Sequence, residues 1–377
     1  MTQPPAPLGK LSAAAFMARY WQRRAYLIRG AIADFRDPVS LPMLQRLAAR
    51  DDVQARVVMQ DGARWHLEHG PFQHRFWKNL PAKRWTLLVQ GLNLVVPGAD
   101  TLLQRFAFIP YARLDDVMVS YATAGGGVGP HVDSYDVFLL QGMGLRRWRI
   151  STQPDRALDP HAPLKILRSF RPRQAWQLAR GDMLYLPPHV AHEGVAIEPC
   201  TTYSIGFRAP DYAELCAELF ADRFADRKLG SAYTDRGLRP TKHPGALPGR
   251  MIDGFADALR RRRFSRKTLG DVVGMVSTTP KAHVMFDRPP SPVSMRRFAA
   301  AAQAQGIQLD VRSLMLYFDA TIYINGERIA PPARHQPKLR QLADDRALTA
   351  RSVPAGMAGQ LYEWYCAGWL HIAHHAT

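Results

Sequence analysis

The run Gly125-Gly126-Gly127-Val128-Gly129-Pro130-His131-Val132-Asp133-Ser134-Tyr135-Asp136-Val137-Phe138 holds a glycine-rich turn, a strand entry and two side chains of metal-ligating type. In a strand, residues i and i+2 point to one face. His131 and Asp133 therefore reach toward the same point. A further imidazole would complete a facial triad, two histidines and one carboxylate. That set grips one face of an octahedral iron(II) and leaves the opposite positions open. A His-x-Asp pair alone is a weak signal. Its turn-to-strand setting strengthens it.

Further along, residues 181–197 (GDMLYLPPHVAHEGVAI) read as a strand, a Pro-Pro corner and a second strand. Both His189 and His192 are candidates for the missing ligand. His192 opens the second strand and shares a face with Gly194 and Ala196, whose small side chains leave room for a metal and an organic ligand. His189 belongs to the corner, where a histidine more often serves the loop. The expected triad is His131, Asp133 and His192, with His189 as the alternative.

Between these stretches, Gly142-Met143-Gly144 marks a turn and Leu145-Arg146-Arg147-Trp148-Arg149-Ile150 a strand. Alternation puts Arg146, Trp148 and Ile150 on one face and Arg147 and Arg149 on the other. An arginine among apolar neighbours needs an anion, and its guanidinium can grip a carboxylate with two parallel hydrogen bonds. In residues 201–208, Thr202, Ser204 and Gly206 form a small or hydroxylic face opposite Tyr203, Ile205 and Phe207. An iron triad, a buried arginine and a hydroxyl suit 2-oxoglutarate. Its keto-acid end would meet the metal, and its far carboxylate would meet Arg146 and Ser204. The bland alternative is a surface arginine, which Arg147 and Arg149 are expected to be.

The chain of 377 residues is long enough for two or three domains. It has no apolar run of about 18 residues, so no membrane span is expected. The start, Met1 to Pro7, lacks the basic and apolar segments of a signal peptide. Cys200, Cys216 and Cys366 have no zinc-like spacing and fit structural roles in a reducing cytoplasm. The formal net charge of +18 favours anionic partners such as RNA or ribosomal assemblies, or else merely confers solubility. Against that background Asp115 and Asp116 stand out just before the metal strand. Asp116, Met118 and Ser120 share a face. Asp116 is read either as a structural acid at a strand end or as a receiver for a guanidinium.

Residues from about 52 to 210 are mainly short strands between Gly, Pro and Asp turns, the pattern of a sandwich or barrel. A helix is expected over 42–50, with Ser40 as its cap and Pro42 in its first turn. After Pro210, Tyr212, Leu215, Leu219, Phe220 and Phe224 recur at helical spacing. A second helix follows Pro248 and ends near Arg260 to Arg263. Arg288-Pro289-Pro290-Ser291-Pro292 marks a boundary. Beyond it come a helix near 293–303, a hairpin turning at Asn325-Gly326, and helices over 337–348 and 359–372. His371, His374 and His375 fit a frayed terminus better than a metal cluster. These divisions suggest domains over 1–210, 211–287 and 288–377.

The run 125–138, the segment Arg146-Arg147-Trp148-Arg149 and the closing Phe207-Arg208-Ala209-Pro210 strongly resemble the JmjC-type ribosomal oxygenases of the cupin superfamily. Tyr20-Trp21-Gln22-Arg23-Arg24 followed by Leu27-Ile28-Arg29-Gly30 resembles that family's opening element, with Ala25 where its pattern has proline. The resemblance is specific over about residues 10 to 210. It implies an α+β chain: a JmjC/cupin double-stranded β-helix, a helical dimerisation region and a winged-helix-like C-terminal domain. It implies a homodimeric Fe(II)- and 2-oxoglutarate-dependent dioxygenase. The bacterial branch, to which the match is nearest, hydroxylates an arginine of large-subunit ribosomal protein L-sixteen. On that reading Asp116 and Tyr135 would meet the substrate. A substrate that is itself basic would be repelled by the overall charge, so docking would need local acids or nearby rRNA. Competing readings are a histidine hydroxylase of another ribosomal protein, a JmjC demethylase or small-molecule oxidase, and a non-enzymatic winged-helix nucleic-acid-binding regulator.

Overall fold

The computed structural model describes residues 5–225, 251–253, 256–257 and 264–373. The chain forms two compact units. One comprises Met1–Ala209, Ala282–Asp287 and Asp310–Arg312; the other comprises Pro210–Lys281, Arg288–Leu309 and Ser313–Thr377.

The first unit contains strands β1 (Tyr26–Ile28), β2 (Ala55–Asp61), β3 (Arg64–His69), β4 (Trp85–Val89), β5 (Leu114–Ala122), β6 (His131–Val132), β7 (Val137–Gln141), β8 (Arg146–Ser151), β9 (Gln174–Leu178), β10 (Met183–Leu186), β11 (Ala191–Ala196) and β12 (Cys200–Phe207). They build an eight-stranded sheet, ordered β1-β10-β7-β12-β5-β4-β2-β3, and a four-stranded sheet, ordered β6-β11-β8-β9. From β6 to β12 the chain steps back and forth between the sheets, the winding of a double-stranded β-helix. Helices α1 (Ala13–Arg19), α2 (Leu41–Leu47), α3 (His74–Lys78) and α4 (Pro97–Gln104) complete the unit. Ser40 stands at the N-cap of α2 without a side-chain hydrogen bond, and the helix ends at Leu47 rather than Arg50.

Strand β7 shows how the layers divide. It is buried at every position. Phe138 and Leu140 point to an outer core shared with Phe16, Leu44 and Leu102 of the helices. Val137 and Leu139 point the other way and pack with Trp148, Ile150 and Leu178 of the smaller sheet. Strand β12 follows the same rule, sending Tyr203, Ile205 and Phe207 to the outer core. Its opposite face, Ser204 and Gly206, is left for a cavity between the sheets.

The second unit contains α5 (Tyr212–Ala225), α6 (Arg266–Thr278), α7 (Met295–Gln305), β13 (Gly306–Leu309), β14 (Met315–Phe318), β15 (Thr321–Ile324), β16 (Glu327–Ile329), α8 (Gln336–Asp345), β17 (Ala347–Thr349), α9 (Ala358–Cys366) and β18 (Leu370–Ile372). Two three-stranded sheets, β17-β13-β18 and β14-β15-β16, pack with the helices around Phe298, Leu339, Leu342, Leu361 and Trp364. This is a winged-helix domain preceded by a helical region. Asn325 and Gly326, both with positive φ, make the expected hairpin turn. The helix expected over 359–372 stops at Cys366. Gly368, at φ 79°, turns the chain and the last residues become β18. Arg260 to Arg263, His374, His375 and the side chain of Phe224 lie outside the described residues.

Candidate metal centre and co-substrate cavity

The pairing of β6 with β11 puts His131 directly opposite His192, their ring centroids 4.2 Å apart. Asp133 follows β6 and turns its carboxylate between them. Its Oδ1 lies 3.9 Å from His131 Nε2 and its Oδ2 3.6 Å from His192 Nε2. One ligand atom from each residue lies within 4.8 Å of the others, so the three could hold a single ion. Among the described residues no other such group of three occurs. His189 is elsewhere: it is exposed at the corner with φ 68°, and its backbone N–H donates to the Asp133 carbonyl at 2.8 Å.

Both imidazoles are held in the tautomer a metal requires. His131 Nδ1 lies 3.0 Å from the Gly129 carbonyl and His192 Nδ1 2.9 Å from the Val190 carbonyl. A proton on each Nδ1 satisfies these bonds and leaves each Nε2 lone pair facing Asp133. Gly129 takes φ 77°, and a Cβ there would lie 2.9 Å from Ile166, so only glycine sets its carbonyl under the histidine. Burial, then the neighbouring His131, push the His192 imidazole down to about 4, opposed by Asp133. His192 is thus neutral at neutral pH, the form that binds metal.

A cavity of about 590 Å³ runs between the sheets from this trio to Arg146. Arg146 is only 4% exposed. One guanidinium nitrogen donates to Ser120 Oγ at 3.0 Å. Its Nε and Nη2 are buried and have no partner among the described residues. Unpaired buried charged donors are costly, so a ligand anion is the expected occupant. The donor set therefore fits a carboxylate at one end of the cavity and a metal at the other. Arg147 is exposed, as alternation requires. Arg149 bonds across the strands to Glu193, with Nε 2.7 Å from its carboxylate.

Ser204, Asp116 and Tyr135 line the same cavity. The hydroxyl touching Arg146 belongs to Ser120, a residue to which sequence patterns assign no role. Its one signal is the shared face of Asp116, Met118 and Ser120. Asp116 is 7% exposed, and its Oδ2 accepts from Gln90 Nε2 at 2.6 Å and from the Gly91 N–H at 2.9 Å. The ring of Tyr135 is partly exposed; burial of its hydroxyl, then the Asp133 and Asp116 carboxylates, push the phenol up, so it stays protonated. The room expected beside His192 is smaller than its small residues suggest. A Cβ on Gly194 would lie 2.7 Å from the Trp148 ring, so the indole already fills that space. Ala196 packs with Ala122 and Cys200.

Asp136, fully buried, ties this region to the chain's start. It accepts from the Tyr185 hydroxyl at 2.6 Å, from Gln22 Nε2 at 3.0 Å and from Arg113 at 3.2 Å.

A double-stranded β-helix with a His-x-Asp and a distal histidine, beside a cavity where a buried arginine keeps two donors without a partner among the described residues, defines the JmjC class of cupin oxygenases. Residues 101–215 match the JmjC domain family and residues 259–371 the ROXA-like winged helix. The chain is 35% identical over 349 residues to the ribosomal protein uL16 3-hydroxylase of Escherichia coli (strain K12), covering 89% of this chain and 90% of that protein. It is 36% identical over 204 residues to a probable ribosomal oxygenase of Haemophilus influenzae, covering 53% and 50%. The solved structure of the E. coli ribosomal oxygenase YcfD superposes with a TM-score of 0.84 at 29% identity, covering 97% and 99%. Its complex with cobalt and 2-oxoglutarate gives a TM-score of 0.84 at 29% identity over 96% and 98%. The chain belongs to the JmjC ribosomal oxygenase family.

Proposed function

We propose that this protein is an Fe(II)- and 2-oxoglutarate-dependent hydroxylase that acts on an arginine side chain of a uL16-type ribosomal protein. The observation that carries the reading is the pair of unpartnered Arg146 donors at the far end of a cavity that begins at His131, Asp133 and His192. These three residues hold iron. Arg146, with Ser120 bracing it and Ser204 in the same wall, receives the distal carboxylate of 2-oxoglutarate. Bound there, the metal and co-substrate supply dioxygen activation with loss of carbon dioxide and formation of succinate. The protein's own work is placement. Trp148 closes one side of the cavity and excludes water. Asp116, fixed by Gln90 and Gly91, receives the substrate guanidinium at the open side, where Tyr135 offers a neutral phenol. A carboxylate and an aromatic ring together suit a guanidinium.

The likeness to a protein named for uL16 supports a ribosomal protein as the substrate class; on this reading the enzyme works in the cytoplasm, with rRNA near its target. No described helix is long and apolar enough to cross a membrane. The protein acts as a homodimer through the helices after Pro210: on α5 Leu219 is buried, while Tyr212 at 84% and Phe220 at 38% stay exposed. Light scattering on the intact chain at micromolar concentration tests this, and a monomer refutes it. The substrate is tested by comparing uL16 from cells with and without the gene by fragmentation mass spectrometry. An unmodified uL16 with a new oxygen on a histidine elsewhere would reassign the target.

A further inference from the structure

Between β8 and β9 the chain makes a long excursion before it rejoins the smaller sheet. The middle of that excursion is a short hairpin. Leu158 and Leu167 bridge antiparallel, the Arg168 N–H donates to the Ala157 carbonyl at 2.9 Å, and the Asp159 N–H to the Ile166 carbonyl at 2.8 Å. The hairpin is fastened to the metal strand. The Leu167 N–H donates to the Pro130 carbonyl at 2.8 Å, next to His131. The Ile166 side chain lies against Gly129, whose carbonyl faces His131 Nδ1. On the return limb, the Arg149 guanidinium of β8 lies over the Phe170 ring, 5.8 Å from its centroid.

The tip of this hairpin, Pro163, Leu164 and Lys165, lines the same cavity as the metal trio. It is held in place there: the Ile166 N–H donates back to the Leu164 carbonyl at 2.7 Å. Leu164 is half-buried, as are Leu67 of β3 and Val128 of the glycine-rich turn, which line the cavity with it. Beyond the metal trio and Arg146, the charged groups of the lining are Arg56, Asp115, Asp116 and Lys165. Recognition of a charged head group belongs to these. Leu164, Leu67 and Val128 offer only apolar surface that solvent still reaches, which is surface a ligand can cover.

We propose that the hairpin tip is an apolar lip that grips the aliphatic stem of the target side chain, with Leu164 as the residue that positions the stem before the metal trio. This rests on the protein-hydroxylase reading above. An arginine side chain is apolar along its stem and charged only at its end. The carbon to be oxidised lies on the stem. A carboxylate that holds the guanidinium leaves the stem free to swing, and a misplaced carbon costs rate. An apolar wall on a hairpin bonded to the strand of His131 fixes the stem relative to the metal ligands.

The test uses two uL16 peptides that differ only at the target position, arginine or its neutral analogue citrulline, and the intact protein as wild type, Leu164→Ala, Leu164→Met and Asp116→Asn. Peptide affinity is measured by fluorescence anisotropy with Mn(II) and 2-oxoglutarate. With Fe(II), the ratio of succinate formed to oxygen incorporated is measured on the arginine peptide. Leu164→Ala should weaken both peptides by the same factor, roughly five- to twenty-fold, the scale of an apolar contact withdrawn from a pocket. It should also raise the succinate ratio, because an unheld stem wastes turnovers. Its affinities for Mn(II) and 2-oxoglutarate should match wild type, which a general loss of structure would not allow. Leu164→Met, of similar volume, should restore both readouts. Asp116→Asn should weaken the arginine peptide alone. Wild-type affinity and ratio in Leu164→Ala, or a loss confined to the arginine peptide, overturns the lip. If wild type adds no oxygen to the arginine peptide, the hydroxylase reading fails. The anisotropy series still decides whether Leu164 grips the stem.

Discussion

His192 and His189 are three positions apart, yet only one faces Asp133. Strand β11 begins at Ala191, so His192 is held by register against His131, while His189 is spent on the corner. His192→Ala should weaken metal binding by more than the roughly 10–100-fold typical of losing an outer partner of a metal ligand. His189→Ala should leave it near wild type; titration with Mn(II) or Co(II) reads both. The reverse order would move the site to the corner. Arg146→Ala removes the partner of a buried carboxylate, a loss of about 3–5 kcal/mol. The 2-oxoglutarate affinity should fall by orders of magnitude while metal affinity stays. Arg147→Ala, on the outer face, is the control, and unchanged 2-oxoglutarate binding in Arg146→Ala would sink the assignment. The burial of His192 also fixes a sign. Its folded value of about 4 lies below the unfolded 6.5, so the unfolded chain gains a proton first as pH falls. Metal-free protein should therefore lose stability progressively between about pH 6.5 and 4. The slope should be shallower in His192→Gln. Equal slopes in thermal melts would mean that the imidazole is not buried neutral.

Pairings between residues close in the chain are legible in the sequence itself, and the reason is periodicity. Arg146 and Trp148 sit at the two-residue repeat of a strand, which forces them to one face; His131 and Asp133 have the same spacing, but β6 ends at Val132 and Asp133 turns in just beyond it. What depends on strand order is not legible there. Ser120 braces Arg146 because β5 and β8 lie on facing sheets, and no local pattern states that. The anchor at Asp136 draws Gln22 from 114 residues away and Tyr185 from 49. Gly194 reads as free space in the sequence, but its neighbour Trp148 comes from another strand and fills it. The last helix reads as longer than it is because the apolar run continues through Trp369 and Leu370 while Gly368 changes the backbone beneath it. Asp136→Ala removes the acceptor of three hydrogen bonds and leaves Arg113 without its buried partner. It should cost about 3–5 kcal/mol, read as a lowered denaturation midpoint. Gly194→Val drives a side chain into the Trp148 ring, an overpacking cost of about 1–3 kcal/mol. It should also shift the indole fluorescence. A variant as stable as wild type would show that the strand has slack at this point.

At the scale of the whole molecule, charge and chemistry pull in different directions. A chain of formal net charge +18 is drawn toward RNA, while its proposed target is a basic protein. On the proposed function, the carboxylates beside the metal trio would act on the target at short range, and the long-range field would act on the ribosomal setting. Raising salt should therefore weaken association with ribosomal particles more than it weakens turnover of an isolated peptide. Equal salt dependence of the two would detach the global charge from function.

Hydroxylation of a ribosomal protein at this cavity, with iron and 2-oxoglutarate, is the reaction on which the other expectations rest. It is met most directly by incubating the purified protein aerobically with Fe(II), 2-oxoglutarate and unmodified uL16, then measuring intact mass and fragments. One added oxygen on an arginine side chain is expected, with succinate formed in step, and no oxygen added by Arg146→Ala. Loss of a methyl group, or an unchanged uL16 alongside active 2-oxoglutarate turnover, would contradict it.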